Sequence, residues 1–155
     1  MDESRGKTLD LIGKWKFPDR KFVCTKDITF KQTNVMGNTY FSNYIEWQGE
    51  AREKLFLSHP AAGVFLLDNP HIFLITHSLY HKFIAHSFFG DQLKIEVTTK
   101  DIMDYSVTMI FEYWNARTEK KIGEGWQKVC FWDRKINKPC KIPQIFLDLA
   151  IPIKR

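Results

Sequence analysis

The sequence has few of the residues that cross-link or punctuate a chain. Its three cysteines, Cys24, Cys130 and Cys140, are odd in number and widely spaced. They exclude a disulfide framework and read as reduced thiols in a cytoplasmic protein. Glycine (8) and proline (6) are too scarce for a fibrous or low-complexity chain. No apolar run approaches the length needed to span a bilayer, and the longest, Ala61 to Leu67, contains a glycine. Met1-Asp2-Glu3-Ser4-Arg5 has no apolar stretch behind it, so no secretory signal is expected. Gly-x-Ser-x-Gly, a glycine-rich phosphate loop and a dinucleotide fingerprint are missing. So is the aromatic signature of an RNA-recognition sheet. What is there is a chain of 155 residues, 44% of them hydrophobic, which rules out intrinsic disorder and suits one compact domain.

The charge is uneven. Residues 117–155 hold ten Lys and Arg against four Asp and Glu, whereas the rest of the chain is close to neutral. Lys120-Lys121, Arg134-Lys135, Lys138 and Lys141 make a basic lobe that can steer an anionic partner: nucleic acid, a coenzyme A tail or an acidic carrier protein. A solvated face that keeps the protein dispersed explains the same residues.

Apolar periodicity gives the organisation. Residues 1–20 are mixed and polar and read as an N-terminal arm. Phe22, Cys24, Ile28 and Phe30 recur at even spacing, which predicts a half-buried strand ending near Lys31. Thr33 to Thr39 is a loop with Asn34, Gly37 and Asn38 as turn formers. A helix follows, with Asn43-x-x-Glu46 at capping-box spacing. Tyr44, Trp47, Gln48, Ala51 and Leu55 share one face of it, Glu46, Glu50, Glu53 and Lys54 take the other, and it ends before Pro60. Strands are then predicted over 71–76, 79–89, around Leu93 to Thr98, Tyr105 to Tyr113 and Ile122 to Trp132. One helix with roughly five strands in meander order is an α+β layout with an antiparallel sheet.

Two features invite chemistry. Arg52 falls within the apolar sector of the helix, where a cation needs a reason. A buried ion pair or a snorkelling stem is one explanation, and a guanidinium facing a substrate carbonyl or phosphate is the other. The run Asn34 to Phe41 feeds a helix N-terminus, where free N–H groups and the dipole favour an oxyanion, unless it is an ordinary capped turn. His77 and His81 are four apart and would share a face of a strand, but no further ligand motif accompanies them, so no metal is expected.

The run Phe30-Lys31-Gln32-Thr33-Asn34-Val35-Met36-Gly37-Asn38-Thr39-Tyr40-Phe41-Ser42-Asn43-Tyr44-Ile45-Glu46-Trp47 resembles the signature of hotdog-fold thioesterases of the 4-hydroxybenzoyl-CoA thioesterase type. Thr33-Asn34, Gly37-Asn38 and Trp47-Gln48-Gly49-x-x-Arg52-Glu53 resemble one branch, the thioesterases of enediyne polyketide biosynthesis. The resemblance covers about residues 22–150 and implies a hotdog domain over 21–155, with an antiparallel sheet wrapped around one long helix. It implies hydrolysis of a long or polyunsaturated (β-keto)acyl thioester of CoA or acyl carrier protein, without a cofactor. It also implies a homodimer or homotetramer with sites at subunit interfaces, and neither nucleic acid nor membrane as partner.

Most of the superfamily has Asp where this chain has Asn34, and an amide cannot take a proton from water. The enediyne branch has Asn here too, so Asn34 would orient the carbonyl or the water. Tyr44 and Arg52 match that branch's active-site Tyr and Arg, with Arg52 on the oxyanion. The Phe41 N–H matches the backbone oxyanion donor, and Gly37, Asn38 and Tyr40 are expected to bind substrate. The alternative reading is a non-catalytic acyl-binding or carrier-docking module that lost its chemistry with the change to Asn34.

Overall fold

The computed structural model describes residues 15–16 and 21–149. The expected arm at 1–20 therefore lies outside the described residues, apart from Trp15–Lys16. In chain order the elements are β1 (Trp15–Lys16), β2 (Lys21–Asp27), a 3-10 turn (Phe30–Gln32), α1 (Ser42–Leu57) and α2 (Pro60–Asp68). There follow β3 (Ile72–Phe83), β4 (Gln92–Lys100), β5 (Ser106–Asn115), β6 (Lys121–Asp133), β7 (Lys138–Pro139) and α3 (Gln144–Leu149).

The strands form one antiparallel, seven-stranded sheet in the order β1-β2-β4-β5-β6-β3, with β7 paired to β6. The expected meander holds for β4-β5-β6 only. β3 does not lie beside β2 or β4; it pairs along β6 over almost its whole length and forms the far edge. The helical connection carries the chain across to that edge, and Ile84 to Asp91 carries it back. Helix α1 packs its Tyr44, Trp47, Gln48, Ala51 and Leu55 face against the sheet, as its periodicity predicts. Leu93, Ile95 and Val97 of β4 and Met109, Phe111 and Tyr113 of β5 meet it with the alternation read from sequence. Burial of each large apolar side chain contributes about 1.5–3 kcal/mol.

Several local expectations are corrected. β2 stops at Asp27, because Ile28 turns inward and Phe30 begins the 3-10 turn with its ring exposed. The two runs at 71–76 and 79–89 are a single strand to Phe83, interrupted by a bulge between Thr76 and Ser78. The capping box at Asn43 does not form. Asn43 lies inside the first turn, and its amide donates back to the Gln32 and Tyr40 carbonyls at 3.0 Å each. Helix α2 was not expected, since Pro60 read as a stop. It instead occupies the first turn of a new helix, where its missing N–H costs nothing, and His59 Nδ1 accepts from the Ala61 N–H. Helix α3 similarly begins just after Pro143, whose carbonyl accepts from Phe146 and Leu147. Among the described residues no helix is long and apolar enough to cross a membrane.

Candidate active site

The loop before α1 is closed by its own backbone. Thr33 and Thr39 form an antiparallel bridge, the Asn34 N–H donates to the Asn38 carbonyl at 2.7 Å, and the Gly37 N–H donates to the Asn34 carbonyl at 2.8 Å. Gly37 has φ +86°, a conformation that glycine adopts without strain. Asn34 Nδ2 donates to Asn38 Oδ1 at 3.2 Å, which holds both amides at the mouth of the loop. Tyr40 is tied back through its N–H to the Gln32 carbonyl. The Phe41 N–H has no partner among the described residues and sits at the positive end of α1.

Behind the loop is a buried hydroxyl cluster. Tyr44 Oη and Ser87 Oγ are 2.6 Å apart, and Ser87 Oγ and Thr39 Oγ1 are 2.7 Å apart. The Thr39 N–H also donates to the Ser87 carbonyl at 2.8 Å. Burial, partly offset by the hydrogen bond to Ser87, raises the Tyr44 phenol above its ordinary value, so it remains a neutral hydroxyl. An open groove of about 490 Å³ begins here, a size suited to a ligand. Asn34, Asn38, Tyr40, Phe41 and Tyr44 line one side, and Phe83 to His86 line the other. The groove lining contains no carboxylate.

Arg52 lies elsewhere. It follows Ser42 by ten residues, about 15 Å along the helix axis, and does not line the groove. Its Nη1 donates to Gln127 Oε1 at 2.8 Å and Thr76 Oγ1 at 3.1 Å, while Nε is buried without a partner. No ion pair to Arg52 forms among the described residues, so the ion-pair explanation of this cation falls. Burial lowers its pKa, and Glu53 offsets part of that. One protomer thus brings together five of the seven expected site residues around the groove. Gly37 supports them from the loop tip, and Arg52 stands apart.

Other residues escaped the sequence reading. The Phe83–His86 segment carries no motif and reaches the groove, and Ser87 the hydroxyl cluster behind it, only because the chain returns from β3 past the loop. The bulge at His77 cancels the expected pairing of His77 with His81. His77 is exposed against Ser78, whereas His81 stacks on Tyr44 at 5.1 Å and also touches Phe83 and Tyr113. Both His81 ring nitrogens are buried without partners, and desolvation lowers its pKa to about 4. No cluster of metal-ligating side chains occurs among the described residues. The basic lobe is partly neutralised locally: Lys121 lies 2.7 Å from Glu124 and 3.2 Å from Glu112, and Arg134 sits over Phe73.

This arrangement places a helix N-terminus with an unpartnered N–H, two fixed amides and a neutral phenol beside an open groove. The sequence model of the Thioesterase-like superfamily matches residues 28–149, which includes the loop, α1 and the long strands from β3 onward. The chain belongs to the Thioesterase-like superfamily. As a member it is a thioester hydrolase acting on acyl thioesters. Solved structures share its hotdog fold. The dynemicin thioesterase, described with bound polyene, superposes with a TM-score of 0.80 at 22% identity, covering 87% of this chain and 99% of that one. A 1,4-dihydroxy-2-naphthoyl-CoA thioesterase from Synechocystis gives 0.76 at 16% identity, over 83% and 94% of the two chains. A gentisyl-coenzyme A thioesterase gives 0.71 at 21% identity, over 81% and 98%. No curated protein sequence matches.

Proposed function

We propose that this thioesterase releases a long or polyunsaturated (β-keto)acyl group from an acyl carrier protein or from CoA, in enediyne-type polyketide or related acyl-chain biosynthesis. Catalysis then relies on oxyanion stabilisation without a carboxylate base. The observation that carries this reading is the groove at the N-terminus of α1, with an unpartnered Phe41 N–H and no carboxylate in its lining. The thioester carbonyl oxygen takes the Phe41 N–H and the helix dipole as its partners. Asn34, held by Asn38, orients the carbonyl or the attacking water, and the Tyr44 hydroxyl, fixed by Ser87, closes the polar side. A thioester is already activated, so positioning and charge stabilisation can supply much of the acceleration. The fold shared with a polyene-binding thioesterase and with a Staphylococcus aureus protein solved in complex with CoA is consistent with a polyunsaturated acyl group and a CoA carrier. Lys120, Lys135, Lys138 and Lys141 suit docking of an acidic carrier protein.

The working unit is a homodimer or homotetramer. β3 is an edge strand, and Tyr80 and Phe83 near its end are exposed, which suits pairing with a second copy. Arg52 reaches an oxyanion only in that assembly, from the other subunit. Thiol release from matched acyl-CoA and acyl-carrier substrates tests the reading, with Arg52→Ala beside the parent. Release that collapses in the variant supports it, and mixing Asn34→Ala with Arg52→Ala raises activity above that of either variant alone if the site is shared. Acyl binding with no release from any substrate favours the second reading, a non-catalytic acyl-binding module, for which Asn34 in place of Asp is the motivating observation.

A further inference from the structure

Resting on that thioesterase reading, we infer that His86 is the proton-transfer group of the reaction, taking the place of the absent carboxylate. It lines the groove with Asn34, Asn38 and Tyr44. Beside the amides, hydroxyls and apolar side chains that make up the rest of the lining, His86 brings the imidazole, the side chain that most often serves in general acid–base catalysis. Its backbone is held on both sides. The Ala85 N–H donates to the Ile122 carbonyl at 3.0 Å, and the Ser87 carbonyl accepts the Thr39 N–H. Asn38 forms a bridge with Phe88, so the strand-return segment and the loop bearing Asn34 are joined directly. The imidazole itself is exposed, with Phe88 tilted beside it at 6.2 Å. It is therefore an exposed side chain on a fixed backbone at the wall of the groove.

The titratable and charged groups nearby come from each neighbouring element. Tyr40 and Tyr44 lie on the loop and α1, and His81 and Lys82 lie on β3. Asp91 Oδ2 already accepts the Phe88 N–H, which commits that carboxylate to the turn. His81 lies behind Tyr44 among aromatic rings and does not line the groove.

The step balances without a co-reactant. An imidazole nitrogen of His86 accepts a proton from water as the water oxygen bonds to the thioester carbon, leaving the negative charge on the carbonyl oxygen. Collapse of that tetrahedral species breaks the C–S bond, and the imidazolium returns its proton to the leaving sulfur. One water is consumed, and a carboxylic acid and a thiol are formed.

The test compares parent, His86→Gln and His86→Ala on one acyl-CoA substrate across pH, with melting curves to confirm folding. Both variants are expected to lose kcat on the order of 10²-fold with KM little changed. The parent's kcat/KM should rise with pH along a limb that disappears in the variants, and added imidazole should partly restore His86→Ala. A structural role would not produce that rescue. Variants within about threefold of the parent, or slowed variants that keep the parent pH profile and ignore imidazole, overturn the assignment while leaving the thioesterase reading intact. A folded parent without turnover on any acyl thioester overturns both.

Discussion

Replacing Arg52 separates its structural contribution from its chemical one. Its Nη1 makes two hydrogen bonds to uncharged oxygens, Gln127 Oε1 and Thr76 Oγ1, and Nε makes none. A charged donor contributes about 1.5 kcal/mol per bond or somewhat more, giving roughly 3 kcal/mol for the pair. Partial desolvation of a guanidinium that forms no ion pair among the described residues costs a comparable few kcal/mol, which the more distant charge of Glu53 offsets only in part. The two nearly cancel. Arg52→Met keeps the apolar stem and removes both, but it leaves the buried Gln127 oxygen without its donor, at about 1–3 kcal/mol. The expected result is a loss of about 1–2 kcal/mol for Arg52→Met, most of it recovered in Arg52→Met/Gln127→Leu, where both partners become apolar. Thiol release should meanwhile fall on the order of 10²-fold in kcat in both variants. Urea denaturation gives the first quantity and steady-state kinetics the second. A loss above about 4 kcal/mol in the single variant, not recovered in the double, would show Arg52 to be a structural tie and refute the reasoning.

Three further outcomes follow from the same geometry. His81 is neutral in the fold with its pKa lowered to about 4 from 6.5; its contribution is therefore complete above pH 6.5 and is lost as pH falls towards 4. For a half-buried ring that loss should be about 1–2 kcal/mol in urea titrations, and a His81→Phe curve equally steep over that window would contradict it. A methyl group at Gly125 would collide with the Tyr80 carbonyl and lie 2.6 Å from Gln48 Nε2. Gly125→Ala should thus lose on the order of 3 kcal/mol, about 10 °C in Tm, and an unchanged melting curve would show that β3 yields freely. Asn34→Ala should lower kcat by about tenfold with little change in KM, since it removes an orienting amide; a loss confined to KM would make Asn34 a binding residue only.

Much of the site was legible because its parts are contiguous. Thr33 to Tyr44 holds the turn glycine, both amides, the helix terminus with its unpartnered N–H and the phenol, and backbone bonds within the loop shape its turn. Residues that arrive from far along the chain were not legible. Ser87 completes the Tyr44 hydroxyl cluster from 43 positions away, Gln127 meets Arg52 from 75 away, and His86 enters only because Asn38 pairs with Phe88. The glycines at 123 and 125 looked unremarkable, yet they leave the room into which His81 and Gln48 project.

The sequence by itself determined which face of α1, β4 and β5 is buried. Periodicity is a local property, and the apolar sector of α1 and the alternation of β4 and β5 declare it residue by residue. Only the tertiary structure decided what each face is buried against. The same alternation in β3 is compatible with pairing beside β4 or beside β6, and the choice of β6 makes β3 an edge. The bulge at Thr76/Ser78 then changes the alternation along β3, and His81 comes to lie against Tyr44. Strand partnership and register arise from the summed packing of the whole sheet on α1, a quantity that no local window of the chain contains.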